Sequence, residues 1–340
     1  LDAPNLKEER NIDLAGADQH SGRTPIRFFQ QEVSMDRRAF LKYQAAGFLW
    51  VAAGAPGLSP VGAALADGRP DVAVVKGAPA AATRAAVELL GGMGRFVKVG
   101  HKVLIKPNMS FARGPDSGTT THPEVVRELL IMCKESGAVQ IRILDHSLQD
   151  PGLSLTASGI PAACDGVEKG ICRHLMDARF YQKADIPGGL EMKSNDFMRD
   201  ALEADAIIAA PVAKSHGGAG VSLSLKGQMG LILDRRIMHS RYNLDQSIVD
   251  LNLKLKPTLA VIDATRVLST GGPGGPGRII TPGEVIASAD PVAADATAVA
   301  AYEWYGRKIE PRQVGHLAAA HERGLGRLDI DRLLTRRVEL

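Results

Sequence analysis

Six short apolar runs constrain this chain more than any other feature: Val72–Val75, Lys102–Lys106, Val139–Leu144, Ala206–Ala210, Leu259–Ile262 and Glu284–Ala287. Runs of that length, apolar nearly throughout, suit strands buried on both faces rather than one. Most of them are separated by stretches with helical spacing. Ala81–Leu90 is a good helix former stopped by Gly91–Gly92, and Val125, Val126, Leu129, Leu130 and Cys133 share one helical face. Leu244, Ile248, Leu251 and Leu255 repeat in the same way, with Asn243 as N-cap, Gln246 three residues on and Pro257 closing the helix. Further helices are expected near 153–164, from Asp290–Pro291 onward, and over 312–323. Strand–helix alternation implies right-handed crossovers. The expected fold class is therefore α/β: a largely parallel, Rossmann-like sheet with helices on both faces.

Polar residues at the ends of these runs give the first functional pointer. Lys106, Asp145, Lys214 and Asp263 each stand at or just past the C-terminal end of an apolar strand. In open parallel sheets that edge is where ligands bind. The stretch Asp205–Asp234 is the densest part. Pro211 is expected to end regular pairing after Ala210, and Lys214, Ser215, His216 and Lys226 follow. If 214–216 stay extended, Lys214 and His216 project to one side.

These side chains suit an anion site or an acid–base step. Lys214, His216, Lys226 and Asp263 are the candidate catalytic residues. Lys106 and Asn108 are expected to bind a ligand or cofactor, together with Gly271 and Gly274 of the Gly/Pro-rich loop 271–277, where backbone can approach a ligand closely. That loop lacks the lysine and hydroxyl of a Walker-type phosphate cradle. Asp145, His216 and His239 form the candidate metal set. Asp290 reads as a helix N-cap, whereas Asp295, one turn further in, has no such simple role.

Composition narrows the function classes. With 340 residues, net charge +3, 4% aromatics and no basic stripe, the chain is not built for nucleic acid. Its three cysteines, Cys133, Cys164 and Cys172, contain no C-x-x-C pair, so their spacing supports neither zinc nor an iron–sulfur cluster. A disulfide between Cys164 and Cys172 is an option for an exported chain.

Export is itself expected. Met35–Lys42 (MDRRAFLK) resembles a twin-arginine translocation signal, followed by an Ala/Gly-rich segment and by Ala64–Leu65–Ala66 before a cleavage point at Asp67. Residues 1–34 are polar, aperiodic and begin with Leu, which reads as a disordered leader or a misassigned start ahead of Met35. The expected organisation is thus leader 1–34, signal peptide 35–66 and a single α/β domain over 67–340. The mature form would lie outside the cytoplasm, free of the membrane, with the twin-arginine translocase as its partner during export.

Together the motifs resemble the family catalogued as domain of unknown function 362. The matching pieces are VLIKPN (103–108), PVAKSH (211–216), LKGQMG (225–230), His239, KPTLAVID (256–263), Gly271–Gly277 and DPVAAD (290–295). The family pattern usually carries lysine where this chain has Val212 and asparagine where it has Gly227. The iron–sulfur module found fused to some relatives is absent here, so cluster binding does not carry over. The resemblance implies a fold and a site without a reaction. Two readings follow: an exported enzyme, redox-linked or metal-dependent, acting on a small anionic ligand; or a non-catalytic ligand-binding or assembly protein that kept the pocket.

Overall fold

The computed structural model describes residues 68–340. The leader and signal-peptide expectations fall on residues outside that range. The strands are β1 (Val72–Lys76), β2 (Lys102–Pro107), β3 (Gln140–Asp145), β4 (Cys172–His174), β5 (Tyr181–Asp185), β6 (Ser194–Met198), β7 (Ala206–Ala210), β8 (Val212–His216), β9 (Gly220–Ser222), β10 (Leu259–Leu268), β11 (Ile279–Ile280), β12 (Glu284–Ser288) and β13 (Thr335–Glu339). The helices are α1 (Pro79–Leu89), α2 (Pro123–Glu135), α3 (Pro151–Ser158), α4 (Ile160–Cys164), α5 (Arg199–Leu202), α6 (Ser224–Gly227), α7 (Arg236–Ser240), α8 (Leu244–Lys254), α9 (Pro291–Ala301) and α10 (Gly315–Glu322). Among the described residues no helix is long and apolar enough to cross a membrane.

The main sheet runs β13-β1-β12-β10-β7-β2-β3-β4, with β8, β9 and β11 attached beside β10. Every pairing along that path is parallel except the two made by β12, which is antiparallel to both β1 and β10. β5 and β6 form a separate antiparallel pair. The expected α/β class with a largely parallel sheet is therefore correct, and all six apolar runs are strands.

Side-chain alternation divides the core in two. Val75, Val103, Ile105, Ile208 and Val261 face one layer with Leu129 and Cys133 of α2 and Cys164 of α4. Val74, Leu104, Ile207 and Ile262 face the other, with Leu251 of α8, Val299 of α9 and Leu317 of α10. Each fully buried Leu or Ile contributes roughly 2 kcal/mol, so the two apolar faces carry most of the stabilisation. Cys133 is one of these core residues. Burial pushes its thiol up to about 12, so it is chemically quiet. All three cysteines are buried and free.

Pro211 does not end the pairing, contrary to expectation. Its carbonyl accepts Asp263 N–H at 2.8 Å, so only the N–H that proline lacks is missing from the ladder. β8 pairs with β10 directly afterwards, with Val212 opposite Asp263 and a register shift before Lys214 meets Leu268. That shift carries β8 beyond the end of β7 and brings Lys214 and His216 to the top of the sheet.

Asp263 serves this architecture. Its Oδ2 accepts His122 N–H at 2.7 Å and Arg266 Nη2 at 3.2 Å. Its Oδ1 accepts the Thr265 N–H at 3.0 Å and hydroxyl at 2.6 Å. Since His122 is the N-cap of α2, the carboxylate ties the end of β10 to the start of that helix. Asp263 is fully buried, and removing it would leave the Arg266 guanidinium, whose side chain is only 10% exposed, with just the long 3.8 Å pairing to the exposed Asp116. Asp263→Ala should lower stability in urea unfolding by about 3 kcal/mol, the loss typical of breaking one side of a buried pair. A loss under about 1 kcal/mol would show that the carboxylate is not the tie described here.

Candidate functional site

The C-terminal ends of β2, β3 and β8 open into a cleft of about 200 Å³. Lys106, Asn108, Ser110 and Phe111 come from the end of β2 and its loop, Asp145 and Leu148 from β3 and its loop. Lys214 and His216 come from β8, Ser222 from β9, Lys226, Met229 and Gly230 from α6 and the turn after it. Arg235, Arg236 and His239 border α7 or lie on it, and Pro273 reaches in from the Gly/Pro loop. The lining thus holds five cationic side chains and one carboxylate.

Asp145 is the hub. Its Oδ1 lies 3.0 Å from Lys106 Nζ and accepts His146 N–H at 2.8 Å. Its Oδ2 accepts Met109 N–H at 3.0 Å and the Ser110 hydroxyl at 2.7 Å. Burial alone would raise this carboxyl. Lys106, His174, Arg235 and the Met109 N–H outweigh it and hold Asp145 at about 2. Gly230 permits the pair: a Cβ there would lie 2.1 Å from Asp145 Oδ1 and 2.6 Å from Lys106 Cε.

Lys214 and Lys226 differ from Lys106 in having no carboxylate within ion-pair distance among the described residues. Lys214 Nζ donates to Thr119 O at 2.8 Å and sits 5.1 Å from the centre of the Phe111 ring. Lys226 Nζ has only Met229 Sδ, at 3.5 Å. Burial pushes Lys214 down to about 7 against the pull of Asp145, with Lys106, Lys226 and Arg235 adding repulsion. Burial likewise pushes Lys226 down to about 7, and Arg235 adds to it. Each therefore exists as amine and ammonium in comparable amounts near neutrality.

His216 stacks on His239, with ring centres 5.7 Å apart and planes 18° from parallel. His216 Nδ1 accepts the N–H groups of Gly218 and Ala219, both at 3.1 Å. That assignment puts the proton of the neutral ring on Nε2. Burial first, then Lys226 and His239, push His216 down to about 3, so it is a neutral donor throughout the physiological range.

The structure gathers Lys106, Asn108, Asp145, Lys214, His216, Lys226 and His239 around one cleft, and separates three other expected residues from it. Asp263 lies outside the lining, with its lone pairs committed as described above. Gly271 and Gly274 do not line it either. A Cβ on Gly271 would meet Pro276 O at 2.1 Å and one on Gly274 would meet Phe111 Cε1 at 3.0 Å, so their close approaches are to the protein's own chain. The metal set is not assembled: no three His, Cys, Asp or Glu side chains among the described residues converge on a metal-sized point. Asp145 is saturated by donors, and His216 presents an N–H where a metal would need a lone pair. Asn108 Oδ1 accepts Val212 N–H at 3.1 Å, leaving its amide NH2 as the group it can offer.

Sequence reasoning missed Arg235, Ser110 and Phe111. Arg235 Nη2 donates to His146 O at 2.9 Å and Ser147 O at 3.0 Å, joining the turn before α7 to the loop after β3. Its signal was an arginine pair directly after the Asp205–Asp234 stretch. Nothing in the periodicity of 108–121 marks Phe111.

A family profile described as domain of unknown function (DUF362) matches residues 103–300. A thylakoid-associated protein of Synechocystis sp. is 25% identical over 217 residues, covering 57% of this chain. The chain spans 60% of that relative's length. The solved structure of the lactate racemase apoprotein from Thermoanaerobacterium thermosaccharolyticum aligns with a TM-score of 0.45 at 13% identity, over 69% of this chain and 58% of that one. A Thermotoga maritima protein aligns with a TM-score of 0.30 at 15% identity, over 55% and 51%. Neither likeness bears on the chemistry.

Gly230→Ala should break the site from within, because the added methyl cannot coexist with the Asp145–Lys106 pair at those distances. The expected cost is about 1–3 kcal/mol, as for other overpacked sites. Thermal unfolding checks it; a variant as stable as the parent would mean that the turn yields and the pair does not depend on it.

Proposed function

The chain belongs to the family described as domain of unknown function (DUF362), and we propose that its cleft binds a small organic anion and exchanges a proton with it through Lys214 or Lys226. One observation carries this reading: two buried lysines share a cleft with no carboxylate among the described residues within ion-pair distance of either. The third lysine, Lys106, already has Asp145. An anion of a few heavy atoms, a carboxylate or phosphate, would fit about 200 Å³ and supply the missing charge. Arg236, with a side chain 92% exposed, stands at the mouth. Arg235, the Asn108 amide and the His216 N–H supply further donors.

A lysine near neutrality is also a competent base, since its free amine is populated at the pH where it works. An anion bound between the two lysines favours the ammonium on one and leaves the other free to take up a proton. The export expectation belongs with this reading, and the arginine pair Arg37–Arg38 supports it. A second reading, binding without turnover, is favoured by Val212. It is buried and apolar opposite Asp263, at a position where the family pattern usually has lysine.

The sign of the pH dependence follows from the two amines. Both titrate at about 7 in the free folded chain, whereas an unfolded lysine keeps its proton to about 10.4. The unfolded chain binds more protons between those values, so the empty protein becomes more stable as pH rises through that window. Anion binding requires the protonated form. Affinity for small carboxylates, which stay ionised throughout this range, should therefore be highest below pH 7 and fall as pH rises, by about tenfold per unit for each proton taken up. Calorimetric titration across pH tests this, with Lys214→Met and Lys226→Met each removing part of the dependence. No binding at any pH would sink the proposal. Incubating carboxylates with the protein in D2O then separates the two readings. Loss of a C–H resonance by proton NMR, abolished in Lys226→Met or Lys214→Met, indicates turnover; binding without exchange indicates the second.

Export has its own test. Arg37→Lys with Arg38→Lys should leave the protein in the cytoplasmic fraction while the parent is recovered outside it. Equal distribution of the two would end that part of the reading.

A further inference from the structure

We infer that Asp295 and Asn252 are positioning residues for Lys226, clamping the backbone of Leu225, the residue that precedes it. The inference rests on the anion-cleft reading. Among the described residues Lys226 has no ion-pair partner to hold its ammonium, and its one hydrogen-bond acceptor is the Met229 sulfur. Its place in the cleft is therefore set by backbone. Yet α6, which carries it, is only four residues long, and its N-cap position is Leu223, with no side-chain cap of its own. A helix that short does not hold itself.

The missing cap comes from elsewhere in the chain. Asp295, in the middle of α9 and fully buried, accepts Ser224 N–H on Oδ1 at 2.8 Å and Leu225 N–H on Oδ2 at 3.0 Å. Asn252, fully buried on α8, donates to Leu225 O at 2.9 Å and to Ile248 O at 2.8 Å. Both polar groups of Leu225 are thus held by side chains from two separate helices, and Lys226 is the next residue. At the other end of the turn Gly230 rests against the Lys106–Asp145 pair. A carboxylate at this depth is expensive: burial raises Asp295 to about 7 even though the two N–H groups pull it down. A neutral carboxamide cannot do the same work, because one end would present N–H to N–H.

The test is titration of the lysine side chains by NMR on protein labelled at lysine Cε, with the Lys226 signal assigned through Lys226→Met. The charged and titratable groups around Lys226 are Arg235, Lys214, His216, His239 and His316, and none of them is changed. In Asp295→Asn the Lys226 midpoint should rise by about one unit or more as water reaches a loosened turn. The Lys214 midpoint should not rise with it, since a more cationic Lys226 adds repulsion, and phosphate affinity at pH 8, where the Asp295 carboxyl is mostly ionised, should fall several-fold. A folded Asp295→Asn with both the Lys226 midpoint and the phosphate affinity unchanged overturns the clamp while leaving the cleft reading intact. Should that variant not fold, Asn252→Ala removes the carbonyl tether alone and should shift Lys226 in the same direction by less; no shift again overturns the clamp. A parent protein whose Lys226 titrates near 10.5, the ordinary lysine value, overturns the cleft reading and this inference with it.

Discussion

The ion pair between Lys106 and Asp145 is the contact on which the upper edge of this sheet depends. Both side chains are almost fully buried, 2% and 1% exposed, and a pair at that depth is stable only when its remaining lone pairs are satisfied. Here they are. Four separate donors reach the two Asp145 oxygens, from the end of β2, from the loop after it and from the residue following Asp145. The carboxylate thereby joins the C-terminal ends of two neighbouring parallel strands, the edge at which open parallel sheets bind ligands. Gly230 closes over the pair from the other layer. One charge interaction therefore fixes three of the cleft's walls.

The rest of the cleft follows from what that pair does not neutralise. Asp145 spends its charge on Lys106, so the cations beyond it, Lys214, Lys226 and Arg235, are left in excess. Burying uncompensated charge is costly, and the chain meets that cost by letting two amines drift toward neutrality. Uncompensated cations of this kind are what the proposed anion would neutralise. The stacking of His216 on His239 adds no negative charge either, whereas the Phe111 ring beneath Lys214 favours its ammonium form.

Much of this was legible in the sequence, for a physical reason. Strands buried on both faces need apolar runs, and those runs are short, bounded and easily found. Where they end in Lys106, Asp145, Lys214 and Asp263, the topology alone brings the residues to one edge. What sequence could not separate was which of those charges face a cavity. Asp145 and Asp263 look equivalent along the chain, yet one lines the cleft and the other ties α2 to β10. The difference lies in which donors surround each carboxylate in space, and no local pattern records that. The same is true of the Gly/Pro loop: its glycines are required, but by contacts with Pro276, Ser215 and Phe111 rather than by a ligand. β5, β6 and β13 are polar edge or hairpin strands, and their composition carries too little apolar signal to stand out.

Saturation of hydrogen-bonding capacity sorts the buried charges better than position does. Asp145, Asp250 and Asp263 each have both carboxylate oxygens engaged by the chain's own donors; Asp250 takes the Leu190, Glu191 and Met192 N–H groups and Arg323. Such groups have done their work once the fold is made. Lys214 and Lys226 are the reverse: one carbonyl and one thioether between them is far less than three donors apiece can use. Donors left over inside a cleft are capacity that folding has not consumed. By that criterion the two lysines are the groups on which the proposed anion site rests, and the saturated aspartates, however central, are the frame around them.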